Sequence, residues 1–347
     1  MTNIILQLLA IFAASGLIKI DILSSYHLKK AVIRAEESED TLQVKQNKLL
    51  VNGAFLDTYT LETKGFTVEW KAKSRNYDGW LKARVHDGEL LLLNSVDKTN
   101  YLASVVGAEM LPNAGIEALK AQAVLARTFI YEKRKRHERE AWDVCDLTHC
   151  QSYRGRQTVS SASLKAVKET EGMILTYHNK PCRIFYHSTS GGSTANAAFI
   201  WPDECAPYLI SVQDSFCKKS PHYRWERNIP AHKIAQVLGF EGISDLKVLS
   251  TYPDGRVKEI AVKYRQEKRV FGGWNFRMLV CQKLGWNSLK SSWFKVERVG
   301  KVYVFKGRGL GHGVGLSQWG AKGMADAGYD YREILTYYYP GTEVQKW

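Results

Sequence analysis

A chain of 347 residues with 45% hydrophobic content is ordinary for a globular protein and can bury one large core or two smaller ones. It is too long to depend on its six cysteines for that core, and Gly (27) and Pro (8) are not enriched. The 49 Lys and Arg against 35 Asp and Glu give a formal charge of +14, which suits an anionic partner: nucleic acid, phospholipid head groups or an acidic wall polymer.

The chain opens on "IILQLLAIFAASGLI", residues 4–18, an uncharged apolar run followed by Lys19. It is shorter than the ~20 residues of a spanning helix, and small residues (Ala13, Ala14, Ser15, Gly16) close it as in a signal peptide. Extended through Ile20–Leu23 it would make an uncleaved membrane anchor. Residues 1–24 are therefore expected to be a signal peptide or anchor, and the protein to be exported, periplasmic or held in the cell envelope. Export makes a cytoplasmic nucleic-acid partner unattractive, and fits cysteines that form a few disulfides.

Residues 25–48 are charged and unpatterned and read as a linker. From 49 to 97 the chain reads as β: "KLLVNGAFL", "YTLETKGFTVEWKAK" and "WLKARVHDGELLLLNSV" alternate in part, with "NG" and "DG" as hairpin turns. The pattern then changes. "TNYLASVVGAEM" reads as a short helix, "LPN" interrupts it, and a longer helix is expected from about 114 to 136. There Ile116, Leu119, Ala123, Ala126 and Ile130 fall at steps of three and four, one buried stripe. Residues 141–157 read as an ordered loop, 161–171 as a helix, and "MILTYHNKP" and "CRIFYHSTSGG" as strands. Helices and strands intersperse without regular βαβ alternation, so the expected class is α+β, with a single region over 49–347.

Four constellations carry candidate chemistry. Glu109 stands where two helical segments break, beside Met110 and Leu111, with Gln122 and Arg127 on the next helix; it is either a desolvated proton donor or a plain surface carboxylate. "CDLTHC" offers Cys145, His149 and Cys150 as three ligands of a tetrahedral zinc, with His137 as a fourth; a local disulfide is the rival reading. "YHSTSGG" places Tyr186, His187, Ser188 and Ser190 after a strand, as at a cleft floor, or simply in a turn. In "GRGLGHGVGLSQWGA" glycines occupy every second position from 307 to 315, and His312, Ser317 and Gln318 remain as polar groups. A phosphate-cradling loop fits poorly, because no Lys-Ser/Thr pair follows at the needed spacing. No HExxH pair supports a zinc peptidase.

Taken together, "YDGWLKARVHDGELLLLNSVDKTNYLASVVGAEM", "EALKAQAVLARTF", "DVCDLTHCQSYRG", "FYHSTSGGSTANA" and the glycine-dense C-terminal segment resemble, in order, the SpoIID/LytB (stage II sporulation protein D) family of bacterial cell-wall proteins, over roughly residues 50–345. The resemblance implies a lytic transglycosylase acting on peptidoglycan glycan strands stripped of their peptides by a partner amidase. It makes Glu109 the acid/base and Arg127 functionally required, and it implies a zinc site for Cys145, His149 and Cys150. Gln122, Arg127, Tyr186, His187, Ser188, Ser190, His312, Ser317 and Gln318 become candidate glycan contacts. Some relatives are described as amidase enhancers, which leaves a non-catalytic glycan binder as the alternative. Leu111 stands where the family usually has Pro directly after the Glu-Met pair.

Overall fold

The computed structural model describes residues 16–133 and 136–347; most of the expected leader, residues 1–15, lies outside them. The fold is α+β, and the chain divides into two compact units. The first comprises Met1–Met110 and Gln122–Met173; the second comprises Leu111–Ala121 and Ile174–Trp347. A single region over 49–347 was expected; the first unit also takes strands from residues before 49, and the chain passes three times between units.

The first unit is built on β1 (Leu17–Ile22), β2 (Lys30–Ala35), β3 (Ser38–Lys45), β4 (Lys48–Val51), β5 (Ala54–Leu56), β6 (Tyr59–Leu61), β7 (Gly65–Trp70), β8 (Lys73–Asp78), β9 (Trp80–His86), β10 (Glu89–Asp97) and β11 (Val144–Cys145). They form a six-stranded sheet, β5-β4-β3-β2-β7-β8, and a five-stranded one, β11-β1-β10-β9-β6. The turns read from sequence are present: Asn52–Gly53 and Asp87–Gly88 all have positive φ, as two-residue hairpins between twisted strands require.

The N-terminal region holds more strand than expected. Residues 17–22, within the expected leader, are β1, paired along its length with β10 and burying Ile18, Ile20 and Ile22. In 25–48, expected as a linker, lie β2 and β3, and β4 begins there. Their alternation was masked because one face is charged and open to solvent. In β2 only Ala31 and Ile33 are buried, and in β3 only Leu42.

Helix α1 (Lys98–Glu109) follows β10, with the Asp97 carboxylate accepting from the Asn100 amide at 3.0 Å as N-cap. Helix α2 (Ile116–Lys133) gives its first residues to the second unit and the rest to the first. The expected single stripe is too narrow a description: every residue from Ala121 to Ile130 is buried, which the run of small and apolar side chains permits. Helix α3 (Ser161–Glu169) closes the first unit, started by a reciprocal Ser160–Ser163 capping box.

In the second unit, β12 (Met173–Tyr177), which opens at its border, pairs with β13 (Lys180–Pro181), and β14 (Tyr186–His187) leads to α4 (Ala197–Ile200). A sheet and helix layer follows: β15 (Arg224–Pro230), α5 (Ala231–Leu238), β16 (Asp245–Thr251), β17 (Val257–Tyr264), β18 (Glu267–Gly272), α6 (Gly273–Leu284), β19 (Phe294–Val299) and β20 (Val302–Arg308). Phe276, Phe294 and Phe305 pack together at its centre. The chain ends on β21 (Leu316–Ser317), α7 (Gln318–Asp326), α8 (Tyr331–Tyr338) and β22 (Glu343–Lys346).

All six cysteines are free thiols. The expected disulfides are absent among the described residues, and packing carries the core instead.

The face of α1 that packs on residues 151–158 has no spare room. A methyl group on Gly107 would lie 1.8 Å from the Thr158 carbonyl oxygen. Gly107→Ala is expected to cost about 1–3 kcal/mol of stability, read as a lower urea midpoint with unchanged slope.

Candidate functional site

Glu109 is the last residue of α1, not a residue held outside the helix as the sequence suggested; Met110 follows in an extended conformation and donates its N–H to the Val106 carbonyl at 3.0 Å. A carboxylate there opposes the negative end of the helix dipole. It is kept in place by the segment after the cysteine cluster: the Ser152 N–H donates to Glu109 Oε1 at 2.7 Å. The side chain is half-buried, and Oε2 has no protein partner among the described residues. The result is an oriented carboxylate with one oxygen anchored and the other open.

The same segment clamps the helix at three more points. Tyr101 donates to Gln151 Oε1 at 3.1 Å and stacks on Tyr153 with ring centroids 5.4 Å apart. The Thr158 hydroxyl donates to the Ser104 carbonyl at 2.9 Å, and the Arg154 N–H donates to Ser104 Oγ at 3.2 Å. The Tyr153 hydroxyl reaches Asn94 Oδ1 on β10 at 2.7 Å.

Upstream, His137, Cys145, His149 and Cys150 converge, one ligand atom from each lying within 4.8 Å of the others. Three ligand–ligand distances are 3.3 Å (Cys145 Sγ to His149 Nδ1), 3.4 Å (Cys150 Sγ to His137 Nε2) and 3.6 Å (Cys150 Sγ to His149 Nδ1). Such edges suit a tetrahedron whose metal–ligand bonds are about 2.0–2.3 Å. The donors are two thiols and two imidazoles, and His137 Nδ1 meets Glu140 Oε2 at 3.1 Å, the outer carboxylate that orients a ligating imidazole. The hydrogen bond between the two thiols pulls Cys150 down to about 7 and pushes Cys145 up. The four residues could therefore hold a metal ion, and the disulfide reading of Cys145 and Cys150 is not what the fold forms.

Sequence reasoning missed the carboxylates under this cluster. Asp146 is buried against Arg75, whose Nη1 donates to it at 3.1 Å, and it accepts from the Leu23 N–H at 3.0 Å. Asp21 on β1 is raised to about 7 by burial and then by the Asp146 charge. Their separation of more than 120 residues in sequence left no local signal.

Several candidates are buried and hydrogen-bonded within the fold. Arg127, expected among the glycan contacts, is 6% exposed and fully engaged. It donates to the Met173 carbonyl at 2.9 Å, the Val167 carbonyl at 3.1 Å and Thr170 Oγ1 at 3.5 Å, closing the C-terminal end of α3. Burial lowers it to about 10, since these acceptors are neutral. Gln122 is wholly buried, and its amide oxygen and nitrogen have no hydrogen-bond partner among the described residues.

In the second unit, Ser190 is buried and donates to Asp214 at 2.6 Å, and buried Ser317 caps α7 by accepting from the Gly320 N–H at 3.2 Å. His187 is buried on the Val314 carbonyl at 3.1 Å, and burial drives it well below the usual histidine range. His312, lowered to about 3 by burial, is neutral: Nε2–H donates to the Tyr186 carbonyl at 3.0 Å and Nδ1 accepts from Val314 at 3.1 Å. Gln318 is 7% exposed, and Tyr186 and Ser188 remain half-buried. Beside His312 the fold gathers aromatics that the sequence did not single out: Trp201 lies 4.9 Å from its ring and 5.6 Å from Trp274, and Phe185 lies 5.1 Å from Trp201.

The alternating glycines are approached closely by the protein's own groups. Gly309, Gly311, Gly313 and Gly315 all have positive φ, and a methyl group on Gly313 would lie 2.3 Å from the Arg256 guanidinium. That buried cation pairs with Asp254 at 3.0 Å and donates to the carbonyls of Ser190 and Ser193.

Comparison with known proteins follows these features. A family model described as stage II sporulation protein (SpoIID) matches residues 86–177, which include Glu109 and the cysteine cluster. A domain of unknown function, DUF8618, matches residues 206–315. The chain is 34% identical over 272 residues to stage II sporulation protein D of Bacillus subtilis (strain 168), covering 73% of this chain and 76% of that protein. It is 32% identical over 271 residues to the protein of that name from Bacillus amyloliquefaciens, at the same shares of 73% and 76%. An amidase enhancer of Bacillus subtilis is 28% identical over 290 residues, 70% of this chain and 40% of that protein.

Arg127→Ala should lower stability by roughly 2–4 kcal/mol through three carbonyl and hydroxyl acceptors left unpaired. The loss should appear in urea unfolding whether or not any ligand is present.

Proposed function

The chain belongs to the stage II sporulation protein D (SpoIID) family, and from that premise we propose that it is a peptidoglycan lytic transglycosylase with Glu109 as its single acid/base. The observation that carries this reading is the anchored carboxylate, with Oε1 fixed by the Ser152 N–H and Oε2 free to exchange a proton. The substrate is the β-1,4 bond between N-acetylmuramic acid and N-acetylglucosamine in glycan strands freed of peptides. Protonated Glu109 gives its proton to the bridging oxygen as the bond to the anomeric carbon breaks. The C6 hydroxyl of the same muramic acid then attacks that carbon, and the Glu109 carboxylate takes the hydroxyl proton. A 1,6-anhydro end forms, no water is consumed, and Glu109 returns to its starting state. A hydrolase would need a second carboxyl group to activate water or act as nucleophile; here the substrate supplies its own nucleophile, so one group suffices.

Zinc is the metal that two thiolates and two imidazoles favour, and a closed four-ligand site has no open position for substrate, so it would be structural. It would fix residues 145–150 and, through them, the Ser152 amide. A glycan-acting protein works on the wall side of the cytoplasmic membrane, so this reading carries export; no described helix is long and apolar enough to cross a membrane. The amidase enhancer among the relatives supports a second reading, glycan binding that recruits a wall amidase without catalysis. Aromatic faces such as Trp201 and Trp274 serve either reading, since sugar C–H faces pack on them.

On denuded glycan, Glu109→Gln should reduce release of anhydro-ended sugars by ~100-fold or more, the scale of lost acid–base catalysis. Wild-type release by this variant would leave the binder. Elemental analysis should find about one zinc per chain, and Cys150→Ser should lose it.

A further inference from the structure

In the second unit, helix α6 ends at Leu284, and Gly285–Ser288 turn back on themselves. Gly285 has a φ of 96°, and the Ser288 N–H donates to the Gly285 carbonyl at 2.9 Å. The turn stands beside β15, the edge strand of the sheet β15-β20-β19, and Arg227 ties the two together by donating Nε to the Asn287 carbonyl at 3.1 Å. Between them lies a hollow of about 390 Å³, within the ~300–1,000 Å³ of small-ligand sites.

Two features of the lining are left unused by the fold. Trp286, within the turn, is 60% exposed, and among the described residues no other ring or cation lies on its faces. Arg227 has no carboxylate partner among the described residues; its Nη1 donates to the Glu226 carbonyl at 3.0 Å, so two backbone carbonyls fix the guanidinium without neutralising it. Glu226 itself stands opposite Lys306 in the ladder with β20 and alternates to the other face of the strand. Lys290, two residues past the turn, is 8% exposed and likewise lacks a carboxylate among the described residues; its ammonium donates to His222 Nδ1 at 2.9 Å. Burial, Lys290 and Arg227 hold the His222 imidazole below its usual range, and burial and Arg227 do the same to Lys290, so positive charge faces positive charge here. A cation group fixed in this way is completed by an anion from outside.

We propose that this hollow binds an acidic pyranose, the muramic acid of a glycan strand, with the sugar ring on the Trp286 indole and the lactyl carboxylate on the Arg227 guanidinium. Two demands identify the occupant. An open indole on a fixed turn calls for a flat apolar face, which the C–H side of a pyranose supplies, and the guanidinium calls for an anionic oxygen. A glycerol phosphate polymer meets the second demand and leaves the first unmet; a neutral amino-sugar strand does the reverse. Muramic acid carries both features on one residue. Its carboxylate is free only after the stem peptide has been removed, so the hollow distinguishes stripped strands from substituted ones. The naming of the sugar as muramic acid rests on the proposed function; the call for an acidic sugar does not.

The test follows the indole N–H resonance of Trp286 in the full chain, identified by its absence from the Trp286→Phe variant. The ligand is the disaccharide of N-acetylglucosamine linked to N-acetylmuramic acid, which lacks the bond proposed to be cleaved and is not turned over. The signal should shift saturably with this ligand. With the lactyl carboxylate amidated, the affinity should fall roughly tenfold, the scale of one charge-assisted hydrogen bond lost. Arg227→Gln should show the same loss towards the acid; the amidated ligand makes the comparison without touching the protein, so it stands whether or not that variant folds. No shift with the acid overturns the proposal, as does equal affinity for acid and amide. Glycerol phosphate or a neutral N-acetylglucosamine disaccharide binding as tightly as the acid also overturns it. A saturable, carboxylate-dependent shift in a chain that releases no anhydro ends would keep this site and remove the proposed catalysis, so the two readings fail separately.

Discussion

The packing of α1 on residues 151–158 is the constraint on which the first unit's chemistry depends. Four points along the helix, from Tyr101 through Ser104 and Gly107 to Glu109, meet that segment: Tyr101 at Gln151, Ser104 and Gly107 at Thr158, and Glu109 at Ser152. The last of these contacts leaves a carboxylate with one oxygen bound and one open. Because the donor is a backbone amide, its position is set by the path of the chain and not by a side-chain rotamer. A shift of an ångström there would be transmitted to the Glu109 carboxylate.

What holds the segment itself is the stretch just before it. Val144 and Cys145 add a parallel strand to β1, Asp146 is locked by Arg75 and by the Leu23 amide, and Cys145, His149 and Cys150 gather with His137. Pairing a buried carboxylate with a buried guanidinium gains little over an apolar contact, yet removing one partner is costly. The arrangement therefore specifies a position more than it adds stability. A metal on the four ligands would cross-link the same loop at the point where the ladder with β1 ends.

Local chemistry was legible in the sequence, and long-range partnership was not. The hairpin turns at Asn52–Gly53 and Asp87–Gly88 and the helices after 98 and 161 followed from local spacing, whereas spacing left Cys145, His149 and Cys150 open between a metal site and a disulfide, and the fold brings His137 to them. The strands between 30 and 51 were missed because their outward faces carry Lys, Glu and Asp, which look like linker composition when the buried partner strand is unseen. Arg127, Ser190 and Ser317 were candidates on sequence, and their burial and their carbonyl, carboxylate and amide partners were not visible there, because those partners lie 24 or more residues away or depend on a helix end. The glycines at 309–315 invited a ligand, and the approaching groups are the protein's own: the backbone of Thr189 and Ser190 at Gly309, His187 at Gly311, Arg256 at Gly313 and the Phe185 carbonyl at Gly315.

That last case changes how the net charge of +14 should be read. Arg75, Arg127, Arg256 and Arg277 are all nearly inaccessible. Two of them are neutralised by buried aspartates, and Arg127 and Arg277 are held by backbone carbonyls, the latter at Leu289 and Lys290. Guanidinium suits this use, because its planar fork satisfies several carbonyls at once. None of the four can meet an outside anion without unfolding its surroundings. The charge available to a wall polymer is therefore chiefly the exposed, flexible ammonium population, whose attraction is diffuse and weakened by salt. Such charge concentrates a protein near an anionic surface but does not choose a bond to cleave. Choice must come from fixed geometry, and in the first unit the fixed groups are backbone amides and an oriented carboxylate.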